Sequence, residues 1–190
     1  MIDLNHNPND PTGPRKSRFW ALRDSGRIRS QPWRWPLGSL GDREPIVLAE
    51  HLDGDRRGVD LGYEPRPYDA ALFVPVYAVQ SGDVMYCAET RSGFAITIEH
   101  VGTDWLTLHG HLSKVFVATD REHKGRFRQT VRGGDVIGYA AKSPIHVRFE
   151  LVTRDADRRS VTVDPMAHLT TWTKPPMPGS SRLTTLKQAA

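Results

Sequence analysis

Between residues 72 and 163 the chain is a succession of short apolar runs, rich in β-branched and aromatic residues, that Gly, Asp or Ser cuts off. Phe94-Ala95-Ile96-Thr97-Ile98-Glu99 alternates apolar with small or polar residues, the period of a half-buried strand. Leu72 to Val79 and Val84 to Ala88 flank Gln80-Ser81-Gly82-Asp83, which has turn chemistry. Trp105 to Leu112, Lys114 to Val117, Val136 to Ala140, His146 to Val152 and Val161 to Val163 extend the series. No segment holds a helical period over three turns. The expected fold class is therefore all-β, a compact antiparallel sandwich or barrel. One terminal helical turn is expected after Pro165, with Asp164 as its N-cap.

A chain of 190 residues accommodates one ordinary domain with tails. The domain is expected at 38–169. Residues 1–37, broken by Pro8, Pro11 and Pro14, read as an irregular N-terminal arm, and the proline- and Ser/Thr-rich 170–190 as a C-terminal tail. Phe19, Trp20, Trp33 and Trp35 in the arm are costly to leave in water, so they are expected to dock on the domain. Whether Trp33 and Trp35 close over a groove is not decided by sequence. No run of 18 apolar residues exists, so no membrane span is expected. The polar start lacks a secretory signal, which implies a cytoplasmic protein or delivery by a phage, a mobile element or a secretion apparatus. The lone cysteine, Cys87, sits in an apolar run and reads as a buried, inert thiol. A net charge of +4 is a mild bias toward acidic partners, and the charged stretch 119–134 reads as a solvated loop.

Residues two apart on a strand share a face. His146, Arg148 and Glu150 are thus expected on one face, with Val147, Phe149 and Leu151 toward the core. By the same alternation His109 and His111 share a polar face, with Leu108, Gly110 and Leu112 opposite. His51, His100, His123 and His168 read as ordinary surface or strand-end histidines.

Several segments taken in order resemble one family. They are Trp35-Pro36-Leu37-Gly38, Gly41-Asp42-Arg43-Glu44-Pro45, Gly58-Val59-Asp60-Leu61-Gly62, Pro75 to Val84, Thr107 to Ser113, Val131 to Gly138, Ile145 to Glu150 and Asp164-Pro165. Together they are similar to the lysostaphin/LytM-type zinc endopeptidases of bacterial cell walls, over roughly residues 33–169. The resemblance implies a compact antiparallel β-domain with a groove, and a zinc site that cleaves peptidoglycan cross-links.

The departures fall on the metal. The resemblance implies zinc ligands at positions 56, 60 and 148, which here are Arg56, Asp60 and Arg148. It implies catalytic histidines at His111 and His146, and both are present. The family's tyrosine two before the first is His109; with Glu150 it is a groove candidate.

Arginine stays protonated and has no lone pair to donate. A catalytic zinc needs three protein donors and an open position. Two like unit charges about 4 Å apart repel by roughly 4 kcal/mol at an effective dielectric near 20, and a divalent ion doubles that. For two guanidinium groups the penalty approaches the roughly 10–16 kcal/mol of a good zinc site. No metal and no cofactor is therefore expected. Two arginines around one carboxylate carry the formal charge of zinc with one aspartate and two neutral histidines, so an Arg56–Asp60–Arg148 cluster is the expected substitute.

The expected function is a catalytically degenerate, peptidase-like binding or regulatory module, leaning away from an enzyme. Its partner would be a peptidoglycan peptide or a protein such as a cell-wall hydrolase. Two alternatives stay open. One is an active zinc endopeptidase using a shifted site of Asp60, His109, His111 and His146. The other is a basic nucleic-acid adaptor using Arg126, Arg128, Arg132 and the tryptophan-rich arm.

Overall fold

The structure is a computed structural model that describes residues 32–53, 56–67, 69, 72–100, 102–118, 129–142, 144–155 and 159–175. Among the described residues ten strands form one antiparallel sheet: β1 (Ile46–Asp53), β2 (Arg56–Gly62), β3 (Pro75–Tyr77), β4 (Gly82–Thr90), β5 (Gly93–His100), β6 (Trp105–Val115), β7 (Thr130–Val131), β8 (Val136–Lys142), β9 (Ile145–Arg154) and β10 (Ser160–Val163). The order along the sheet is β1-β2-β9-β8-β6-β5-β4-β7, with β10 on β9, β3 on β8 and β9 also on β6. A helical turn, α1 (Met166–Leu169), follows, and Asp164 Oδ1 accepts from Met166 N–H at 2.9 Å.

β9 is the spine. Its two edges pair with β2 and β10 on one side and with β8 and β6 on the other. Ile145, Val147, Phe149 and Leu151 are buried, while His146, Arg148 and Glu150 are half-buried on the opposite face. The core gathers Leu61, Ile96, Leu112, Ile137, Val147 and Phe149 with Cys87, whose thiol is buried. Burying each large aliphatic side chain stabilises the fold by roughly 1.5–3 kcal/mol.

The end of the arm and the start of the tail belong to this core. Trp35 and Leu37 are buried within it. Trp35 Nε1–H donates to Leu169 O at 2.8 Å, and Thr173 N–H donates to Trp33 O at 3.1 Å. Trp33 stacks on Trp172 and meets His100 edge-on, while Trp172 packs against Phe149. Phe149 lies on the face opposite Arg148, so these tryptophans dock on the side of the sheet away from the groove. Phe19 and Trp20 lie outside the described residues.

One strand breaks the expected alternation. Ile96 pairs with His109 and Phe94 with Leu112, so two steps on β5 match three on β6. The extra residue forms a β-bulge, and His111 takes φ 58°, the left-handed region that a non-glycine residue adopts at some cost. The bulge switches faces. His109 pairs with Phe149 on the core side, Gly110 with Arg148 and Leu108 with Glu150 on the open side, and His111 joins the open side after the bulge. The expectation that His109 and His111 share a face, with Leu108 and Gly110 opposite, is therefore corrected.

Candidate functional site

The open face at the middle of β2, β9 and β6 carries the polar cluster. Asp60 pairs directly with Arg148 across β2 and β9, and Gly110 flanks Arg148 from β6. Arg148 Nη1 lies 3.8 Å from Asp60 Oδ1, and its Nε lies 3.3 Å from Glu150 Oε1. All three side chains are mostly buried. Two glycines make room for the arginine. A Cβ on Gly58 would sit 2.8 Å from Arg148 Nη2, and one on Gly110 would sit 3.3 Å from Arg148 Cβ.

The other oxygen of Asp60 is held by His51, a partly exposed histidine near the end of β1 that was expected at the surface or a strand end. His51 Nε2 approaches Asp60 Oδ2 at 2.7 Å. His51 lies on β1 opposite Gly58, which brings its ring over the diagonal neighbour Asp60. The signal for it was a hairpin pairing of β1 with β2, and the short apolar runs do not reveal that pairing. The backbone of Arg56 begins β2; its side chain lies outside the described residues, as does His123.

His111 and His146 meet at the rim, His111 Nδ1 to His146 Nε2 at 2.8 Å. His146 Nδ1–H donates to Pro144 O at 2.9 Å, so its Nε2 accepts and His111 Nδ1–H donates. Partial burial lowers the pKa of His111, and the neighbouring His146, Arg148 and His51 lower it further against the opposing effect of Asp60.

His109 takes no part in this groove, contrary to the expectation. It is fully buried with neither ring nitrogen hydrogen-bonded among the described residues, and its ring meets Phe149 edge-on at 5.4 Å. Burial drives its pKa down to about 3, with a smaller contribution from His100. His100, expected as a surface or strand-end histidine, is the last residue of β5 and is buried. Its Nε2 lies 2.8 Å from Thr107 Oγ1, and burial lowers its pKa to about 4.

The residues present do not fit a catalytic zinc. The guanidinium of Arg148 fills the space above Gly58 and offers no lone pair. Asp60 Oδ2 is bonded to His51, and His146 Nε2 to His111. Among the described residues no group of three or more His, Cys, Asp or Glu is arranged to hold a metal ion. The shifted site also loses a donor, because His109 lies on the opposite face of β6. What the cluster offers instead is charge-assisted hydrogen bonding: carboxylate acceptors at Asp60 and Glu150, a guanidinium donor at Arg148, and two imidazoles at the rim.

Comparison with known proteins places the fold. No family profile and no curated protein matches the sequence. Among solved structures, the SpoIIQ–SpoIIIAH pore-forming complex matches with a TM-score of 0.51 at 18% identity, over 84% of this chain and 98% of that one. Helicobacter pylori Csd3 matches with 0.50 at 16% identity, over 83% of this chain and 40% of that one. The antimicrobial peptidase lysostaphin from Staphylococcus simulans gives 0.49 at 17% identity, over 76% and 60%. The chain thus spans less than two thirds of Csd3 and of lysostaphin. The protein has the all-β, antiparallel fold of LytM-type (M23) peptidase domains.

Proposed function

We propose that this chain is a LytM-fold binding or regulatory module whose polar groove recognises a peptide or protein partner without zinc chemistry. The observation that carries the reading is Arg148 seated between Asp60 and Glu150, where a metal-binding imidazole is expected in a working peptidase. A permanent cation there repels a divalent ion and ties up the carboxylate that would bind it. The groove keeps features that suit an extended peptide. Its polar groups are acceptors and donors, and Ile46 and Leu48 are exposed beside Gly62. The fold has a precedent for assembly with a protein, in the SpoIIQ–SpoIIIAH pore-forming complex. Partners of the matching chemistry are a peptidoglycan peptide or a cell-wall hydrolase.

Elemental analysis of freshly purified protein, paired with cell-wall digestion with and without chelator, tests the reading. The expected result is no stoichiometric zinc and no chelator-sensitive release of peptide. Stoichiometric zinc with chelator-sensitive digestion would replace it with a rearranged endopeptidase. The nucleic-acid reading gains no specific support: Arg126 and Arg128 lie outside the described residues.

A further inference from the structure

On the face of the sheet away from Arg148, five rings follow one another. His109 on β6 meets Phe149 edge-on at 5.4 Å, and Phe149 meets Trp172 at 5.9 Å. Trp172 stacks on Trp33 at 4.9 Å, and Trp33 meets His100 edge-on at 4.9 Å. Phe149 and both histidines are fully buried, whereas the two tryptophans are partly buried. An isolated parallel bridge between Arg34 and Thr173 joins the segments that carry them. Thr173 N–H donates to Trp33 O at 3.1 Å, Trp35 N–H to Thr173 O at 2.8 Å and Arg34 N–H to Val79 O at 3.0 Å. A single bridge opens more readily than the strand ladders of β4, β5 and β6 beneath it.

His100 lies directly under Trp33. Ser81 O only accepts, so His100 Nδ1–H donates to it at 3.4 Å, and Nε2 accepts from the Thr107 hydroxyl at 2.8 Å. A second proton puts a cation into an aromatic pocket. His109 faces it from β6 and opposes that charge. On β4 and β5, Asp83 and Glu99 alternate to the other face, where Asp83 accepts from Thr130 and Glu99 from Arg154. The Arg34 guanidinium lies over Gly134, Lys174 over the Trp35 ring, and His168 against Trp105.

We infer that Trp33 and Trp172 form an acid-released strap: proton uptake by His100 opens the Arg34–Thr173 bridge and lifts both rings off the sheet while the strands beneath stay paired. With the strap closed, burial holds the pKa of His100 down to about 4, against the opposing effect of the Ser81 and Gln80 backbone. With Trp33 lifted, water reaches the ring and an ordinary value of about 6.5 returns. The lowered value belongs to the closed form, so the strap is fully stable above pH 6.5 and weakens as the pH falls toward 4. The chain enters and leaves the sheet at this bridge, so acid frees both segments from its back. The strap uses none of the side chains around Asp60 and stands or falls independently of the polar groove.

Native-state hydrogen exchange of the full chain, corrected for the intrinsic pH dependence of exchange, tests this. The amides of Arg34, Trp35 and Thr173 report on the strap, and buried amides of β5 and β9 on the sheet. From pH 7 to pH 5 the opening constant of the strap amides is expected to rise about twentyfold, the effect of one histidine whose pKa moves from about 4 to about 6.5. Strap exchange is expected to be insensitive to low urea, unlike that of the sheet amides, which need global unfolding. His100→Gln keeps a donor and an acceptor, takes up no proton, and should remove the rise. If that variant does not fold, the pH and urea dependence of the native strap decides the matter. Strap exchange unchanged between pH 7 and pH 5 would overturn the inference. So would strap amides that follow the sheet amides in urea, or a rise that persists in His100→Gln.

Discussion

Arg148 Nη1 stands 3.8 Å from Asp60 Oδ1 across the β2–β9 pairing, and that buried oxygen has no hydrogen-bond partner among the described residues. The contact is an ion pair without a hydrogen bond, and the same guanidinium also reaches Glu150. Arg148 is therefore the hub, with two carboxylates depending on it. Arg148→Met should destabilise the protein by about 2 kcal/mol, because it leaves two mostly buried carboxylates side by side. Asp60→Asn should cost less than half as much, since Arg148 keeps Glu150. Urea unfolding of both variants measures this; equal losses would show that the arginine works through Asp60 alone.

Gly58 is small because Arg148 lies over it. Gly58→Ala puts a methyl 2.8 Å from both Arg148 Nη2 and Glu150 Cγ. The expected cost is about 1–2 kcal/mol. In an Arg148→Ala background the same change should cost close to nothing, because the crowding atoms are gone. A double-mutant cycle reads the coupling directly.

The two core histidines make the fold acid-sensitive. Burial holds the folded pKa of His109 at about 3 and of His100 at about 4, against an ordinary 6.5. Below pH 6.5 the unfolded chain takes up protons that the folded chain refuses. The stability is complete above pH 6.5 and is lost as the pH falls toward those folded values. The slope approaches about 1.4 kcal/mol per pH unit for each histidine. His109→Leu should remove one proton's worth of slope. It should also stabilise the fold at pH 7 by about 1–2 kcal/mol, because two unbonded ring nitrogens leave the core. Urea unfolding at pH 7, 5.5 and 4.5 separates the two effects; an unchanged slope would show that His109 finds a hydrogen-bond partner in solution.

Trp35 ties the start of the domain to its end. Trp35→Phe keeps most of the buried area but loses the hydrogen bond to Leu169 O. The expected loss is about 1 kcal/mol, with faster amide exchange in residues 166–173. Loss of stability without that local exchange would place the effect elsewhere in the core.

Arg56→His combined with Arg148→His should convert the cluster into a metal site. The double variant is expected to hold zinc at close to one equivalent after dialysis, and either single variant much less, because three donors are needed. Elemental analysis checks it. Failure of the double variant to take up zinc would show that the groove has lost more than its ligands.

The apolar runs of β4, β5, β6, β8 and β9 were legible because each alternates or clusters apolar residues over five or more positions. β1 and β2 were harder. Ile46–Asp53 turns polar after four apolar residues, Arg56–Gly62 mixes charges with glycine, and their pairing is visible only through the register between the strands. That register is what carries His51 to Asp60. His109 was misplaced for a related reason. A strict two-residue period puts it beside His111, whereas the bulge responsible for the difference is set by the pairing with the neighbouring strand, and Gly110 inside it is its one mark in the sequence.

The linear chain settled the composition of the site: arginine is a fixed cation without a donor lone pair in any fold, so Arg148 argues against zinc before a single distance is known. The three-dimensional arrangement settled who meets whom. Pairing across strands joined His51 to Asp60, the bulge turned His111 toward His146, and burial silenced His109. Those outcomes depend on contacts between residues far apart in sequence, where local periodicity carries no information.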